Sequence, residues 1–125
     1  MIRDGYRSFE DQKELYDSYK TKNGAVKAEK DIARPGYCEH QTGLALDILE
    51  LHNATLKTFK DTEVHDWLIQ NSYKYGFIPR YEEDTQMITG FEEESYHFRY
   101  VGLTDAGKIH EKDITFEEYY INEIQ

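Results

Sequence analysis

Two histidines and two carboxylates stand out for what they could do together. His40 lies in a segment without clear periodicity and is followed seven residues later by Asp47, inside the apolar run 44–51. Far downstream, Glu94 precedes His97 by three residues. Two imidazoles and one carboxylate are suitable zinc ligands, and three protein ligands leave one position for water. Zinc brings the pKa of such a water to roughly 7. A second carboxylate, not on the metal, must then take the water's proton and pass it to the leaving group, and Glu94 is placed for that. Asp47 strengthens this reading, because a charge within an apolar strand needs a cation or a metal. A lone histidine is more often packed or at the surface. His52, His65 and His110 have no partner pattern and read as such residues.

The elements that must position these groups are readable in outline. Ser8-x-x-Asp11 resembles a capping box, and Gln12, Leu15, Tyr16 and Tyr19 then recur on one helical face. Gln12 is the polar member of that stripe. Asn23-Gly24 closes the helix, and a shorter one is expected over 25–33. Arg34-Pro35-Gly36 is a break. The 44–51 run reads as a strand with Leu44, Leu46 and Ile48 on one face and Ala45, Asp47 and Leu49 on the other. Val64, Trp67, Leu68, Asn71 and Tyr75 mark a third helix, entered near Asp61 or Thr62 and closed by Gly76. Residues 77–81 look extended, and 82–94 form an acidic, turn-rich loop. A strand over 97–101 puts His97, Arg99 and Val101 on one face. A short helix follows over 105–111. Thr115-x-x-Glu118 is a capping box with Ile114 and Tyr119 as its staple, and Phe116, Tyr119, Tyr120 and Ile124 form the expected buried stripe. The sum is an α+β domain, helices packed on a small antiparallel sheet.

Composition narrows the function classes. The chain has 125 residues, enough for one core, and no apolar run long enough to span a membrane. A formal net charge of −10 argues against nucleic-acid binding through phosphate neutralisation. An anionic substrate would have to be met by individual arginines. Cys38 is the single cysteine, so no intrachain disulfide forms. No signal peptide is visible at the N-terminus. Nothing suggests a coiled coil, and a monomer is expected.

The motifs, taken in order, resemble the M15 zinc metallopeptidases, in particular D-alanyl-D-alanine carboxypeptidases of the VanY type and L,D-carboxypeptidases of the LdcB type. The resemblance rests on Gly5-Tyr6-Arg7-Ser8 with Gln12, and on Arg34-Pro35-Gly36-Tyr37-Cys38-Glu39-His40-Gln41-Thr42-Gly43-Leu44-Ala45-Leu46-Asp47. It continues through Tyr75-Gly76-Phe77-Ile78-Pro79-Arg80-Tyr81, Glu94-Ser95-Tyr96-His97-Phe98-Arg99-Tyr100-Val101-Gly102 and Ile114-Thr115-Phe116-Glu117-Glu118-Tyr119. It implies a hedgehog/D-Ala-D-Ala peptidase-like fold and a single peptidase domain over 1–125. It implies His40, Asp47 and His97 as zinc ligands and Glu94 as general base. Arg7 is implied to polarise the scissile carbonyl, and Gln12 and Cys38 to contact substrate. The implied substrate is the stem peptide of peptidoglycan, cut before a C-terminal D-alanine, which implies a cell-envelope or extracellular location.

Two positions depart from the family pattern. Cys38 stands where the family has Ser, and a thiol is the weaker hydrogen-bonding group. Tyr96 replaces a Trp before the second His. Family members also carry folded residues upstream of the Arg7 motif, so a chain shortened at its N-terminus is one expectation. Other readings stay open. Cys38 could be a nucleophile with His40 or His97 and an Asp. It could also be a fourth zinc ligand, closing the site and leaving a zinc-stabilised cell-wall binding module. A lysin-type endopeptidase would use a related site. Arg99 shares a strand face with His97 and could approach the site; Arg80 and Arg34 read as salt-bridge residues.

Overall fold

The computed structural model describes residues 1–51 and 55–124; His52 lies outside them. Four strands form one antiparallel sheet in the order β1-β2-β4-β3. They are β1 (Ile2–Asp4), β2 (Ala45–Ile48), β3 (Phe77–Tyr81) and β4 (Glu94–Tyr100). β1 was not expected. Three residues carry no readable period, and the strand exists because β2 offers its edge as a partner. β2 is shorter than the 44–51 run, but its alternation is as expected: Ala45 and Asp47 are buried, Leu46 and Ile48 half-buried. β4 begins three residues earlier than expected, so Glu94 is a strand residue paired with Tyr81 rather than the end of a loop. Within that loop, residues Gln86–Thr89 form a one-turn helix, α4.

The other helices follow their signals. The Ser8 side chain accepts from the Asp11 amide and starts α1 (Phe9–Asn23). Gln12 and Tyr16 are buried, but Leu15 is 38% exposed because it opens onto a cavity. Ile32 turns extended, so α2 (Ala25–Asp31) ends two residues before the expected limit. Thr62 caps α3 (Glu63–Asn71), and a 3-10 turn over Ser72–Tyr75 stops at Gly76. Gly76 has φ +84°, and a Cβ there would lie 2.6 Å from the Tyr100 ring and 3.2 Å from the Gly102 backbone, so only glycine fits.

α5 (Leu103–Lys112) is followed by α6 (Phe116–Tyr119), whose Thr115–Glu118 capping box is complete. Beyond it the chain widens to π-type turns over Tyr120–Ile124. Tyr120 keeps the α-helical period, its amide bonded to the Phe116 and Glu117 carbonyls, yet it is exposed where burial was expected, while Tyr119 stays in the core. The core joins Ile78, Ala106, Ile109 and Tyr119, flanked by Tyr73, Val101, Ile114 and Phe116.

The register carries the core into the site. Cross-strand partners share a face, so the pairs Ile78–Arg99, Ala45–Arg99 and Asp47–His97 place all five residues on one side of the sheet. Phe98 points to the opposite side and is fully buried there. The strand that carries His97 is thus covered on both faces at its centre. Among the described residues, no helix is long and apolar enough to cross a membrane.

Candidate metal centre and its cleft

His40, Asp47 and His97 converge, each only 4% exposed. One ligand atom from each lies within 4.8 Å of the others, and Cys38 is not part of this cluster. Asp47 Oδ1 is 3.2 Å from His40 Nε2 and 3.0 Å from His97 Nδ1. Tetrahedral bonds of roughly 2.0–2.2 Å would put neighbouring ligand atoms about 3.3–3.6 Å apart. The two spacings to Asp47 need to open by only a few tenths of an ångström, and all three ligand atoms lie within 4.8 Å of one another, so the donor set fits a zinc ion.

The second nitrogen of each imidazole is also committed. A 3-10 turn over Glu39–Thr42 carries His40, whose Nδ1 donates to the Gly5 carbonyl at 2.6 Å, turning Nε2 toward Asp47. His97 Nε2 donates to Glu39 Oε2 at 3.2 Å, turning Nδ1 toward Asp47. Such outer hydrogen bonds set the tautomer of a metal-binding histidine.

The charges reflect this crowding. Burial alone would lower the His97 pKa, but hydrogen bonds to Asp47 and Glu39 outweigh it and raise it to about 9. Burial would raise the Asp47 carboxyl, yet the bonds from His40 and His97 hold it well below the usual range. A proton on His97 Nδ1 thus occupies the place a metal cation would take.

Glu94 borders the cluster, its Oε2 3.8 Å from His97 Nδ1. Burial, with the charges of Asp47 and Glu39, pushes its pKa up, while the two imidazoles pull it down less strongly. That is the direction a group needs to give and take protons near neutrality.

Arg7 lines the same cleft and is held from several sides. Its Nη1 donates to Gln12 Oε1 at 2.7 Å and lies 4.0 Å from Cys38 Sγ, while Nη2 pairs with Asp4. The Arg7 amide donates to the His40 carbonyl at 3.1 Å, so the arginine loop and the ligand loop are tied together. Gln12 Nε2 donates to the Ala33 carbonyl at 2.6 Å, which explains a polar residue on the α1 stripe. Arg7, Gln12, Cys38, Glu94, Tyr96 and the three clustered residues line one cleft of about 730 Å³. Burial pushes the Cys38 thiol up, away from the thiolate a nucleophile needs.

Every expected site residue thus faces this cleft. The sequence reading passed over Asp4, Glu39 and Tyr81, whose ring stacks on His97 with centroids 5.2 Å apart. Glu39 sits beside His40 in the motif, the one signal that could have marked it. The remaining candidates behave as expected. Arg34 pairs with Glu29, and Arg80 with Glu39 and Glu117. His65 packs edge-on against Phe59, and His110 stacks on Tyr73.

Two histidines and one carboxylate are the donor set of an open, catalytic type of zinc site. The family model described as VanY, D-alanyl-D-alanine carboxypeptidase, matches residues 1–103. The chain belongs to this family. It is 43% identical over 118 residues to the putative carboxypeptidase YodJ of Bacillus subtilis, covering 93% of this chain and 43% of that protein. The LdcB LD-carboxypeptidase, solved to explain peptidoglycan recognition, superposes with a TM-score of 0.87 at 43% identity, covering 94% of this chain and 56% of that one. A mutant of the vancomycin-resistance D,D-pentapeptidase VanY in complex with Zn(II) superposes with a TM-score of 0.78 at 38% identity, covering 98% of this chain and 71% of that one. The chain therefore spans less than half the length of its Bacillus subtilis relative.

Proposed function

We propose that the protein is a zinc-dependent carboxypeptidase that removes the C-terminal D-alanine from peptidoglycan stem peptides. The observation that carries this reading is the convergence of His40, Asp47 and His97, with ligand atoms within 4.8 Å of one another, in a cleft shared with Arg7 and Glu94. Zinc, when bound, supplies a Lewis acid that makes water acidic enough to attack near neutral pH. His40, Asp47 and His97 hold it.

The rest of the chemistry belongs to side chains. Glu94 accepts the proton of the attacking water as its oxygen bonds to the carbonyl carbon. Arg7 donates to the carbonyl oxygen as negative charge develops there, and its anchoring by Asp4 and Gln12 means little reorganisation is needed at that moment. Glu94 then returns the proton to the leaving nitrogen as the C–N bond breaks, releasing D-alanine. Tyr96 and Cys38 border the substrate. A cell-wall substrate places the reaction at the envelope or outside the cell.

The test is product analysis by mass spectrometry. The zinc-loaded protein is incubated with stem peptides ending in D-Ala-D-Ala and with tetrapeptides ending in a single D-Ala, with and without chelator. Loss of one terminal alanine, abolished by chelation and restored by zinc, is the expected result. No loss from either peptide would refute the proposal. Internal cleavage instead would favour the endopeptidase reading.

A further inference from the structure

We infer that Glu39 is the positioning residue for His97, the inner end of a charged chain that ties the metal centre to the last helix. This rests on the reading of His40, Asp47 and His97 as metal ligands. Two contacts restrict the plane of the His97 ring: Tyr81 stacks on it at 5.2 Å and 20°, and His40 meets it edge-on at 5.0 Å and 80°. Neither prevents a half-turn of the ring within that plane. Such a turn would carry Nδ1 away from Asp47 and leave carbon in its place. Two contacts distinguish the orientations, Nδ1 with Asp47 Oδ1 and Nε2 with Glu39 Oε2; Glu39 is the one that is not itself a ligand, and after the turn its carboxylate would face C–H.

Glu39 is itself rigid. Arg80 Nε donates to Glu39 Oε1 at 2.8 Å, and Arg99 Nη1 lies 3.3 Å from the same oxygen. Arg80 is held in turn by a two-pronged pair with Glu117 on α6, at 2.9 and 2.6 Å, and stacks over Tyr81 and Phe116. Its side chain is only 8% exposed. With His97 neutral, as metal binding requires, Glu39 and Glu117 are balanced by Arg80 and Arg99. The Glu39 carboxylate thus has two cationic partners besides the His97 ring.

The experiment measures the zinc dissociation constants of Glu39→Gln, Glu39→Ala and His97→Ala by competition with a chromophoric chelator. Each metal-free variant is first shown to melt cooperatively. The cobalt-substituted absorption spectrum is a second readout of ligand geometry. Glu39→Ala should weaken zinc about 10–100-fold and shift the cobalt bands. Glu39→Gln keeps the shape and an acceptor oxygen but loses the charge, and should fall between Ala and wild type. Should Glu39→Ala fail to fold, Glu39→Gln decides. Zinc affinity within twofold of wild type in the folded Glu39 variants, with His97→Ala zinc-free, overturns this inference alone. Wild-type affinity in His97→Ala overturns the ligand assignment and the inference with it.

Discussion

Replacing Glu94 by Gln separates chemistry from metal binding. In the cleft, Glu94 Oε2 lies 3.8 Å from His97 Nδ1, close enough to reach a water beside the metal but outside direct bonding to the imidazole. The amide keeps the size and can still hydrogen-bond a water, but it cannot take a proton. A general base contributes about 10²–10⁴-fold, and at 1.36 kcal/mol per tenfold that is about 2.7–5.4 kcal/mol of barrier. Stability should move little or in the other direction. In the metal-free protein, burial and neighbouring carboxylates raise the Glu94 pKa, so its ionised form opposes folding at neutral pH and a neutral amide removes that cost. The assay is D-alanine release from a stem peptide, with zinc content and melting temperature measured on the same sample. A rate within tenfold of wild type with zinc retained would refute the assignment. Loss of zinc would instead make Glu94 a ligand.

Other perturbations follow from the same geometry. Arg7→Ala should lower kcat/KM by about 10²–10³ while zinc stays bound, measured by steady-state kinetics and metal analysis. Cys38→Ser should keep full zinc stoichiometry and activity; loss of activity on this change and on thiol alkylation would favour a cysteine nucleophile. Gly76→Ala should cost about 1 kcal/mol or more, read from thermal unfolding, because the site needs a positive φ and has no room for a Cβ. The metal-free protein should show a pH window of stability. His97, raised from 6.5 to about 9, contributes fully below 6.5 and loses its contribution as pH rises through 9. Glu39 is lowered from 4.5 to about 2, the bonds and charges of His97 and the arginines outweighing burial; it contributes fully above 4.5 and is lost as pH falls through 2. Melting in chelator should therefore peak between about pH 4.5 and 6.5 as far as these two groups decide.

The parts of the site that were legible in sequence were those that broke a local rule. Asp47 interrupts an apolar strand and Gln12 an apolar helical stripe, and both are buried with polar partners. Capping boxes and glycine stops also read directly, because their physics lies within four residues. What stayed hidden depends on distant partners. β1 has three residues and no pattern of its own, and forms only against β2. Glu94 changes from loop to strand because Tyr81 pairs with it. Glu39 carries no signal of its own, because it is a 3-10 turn that sets it against His97, fifty-eight positions away. Tyr120 keeps the α-helical period but faces solvent, because a period gives the direction of a face and not how far the rest of the chain covers it.

X-ray absorption at the zinc edge of the loaded protein tests the open, three-ligand centre most directly. The expected spectrum shows nitrogen and oxygen ligands only, two imidazoles, the Asp47 carboxylate and a water oxygen, and is lost in His97→Ala. A sulfur at roughly 2.3 Å would contradict it, because Cys38 would then close the centre and leave no position for the attacking water.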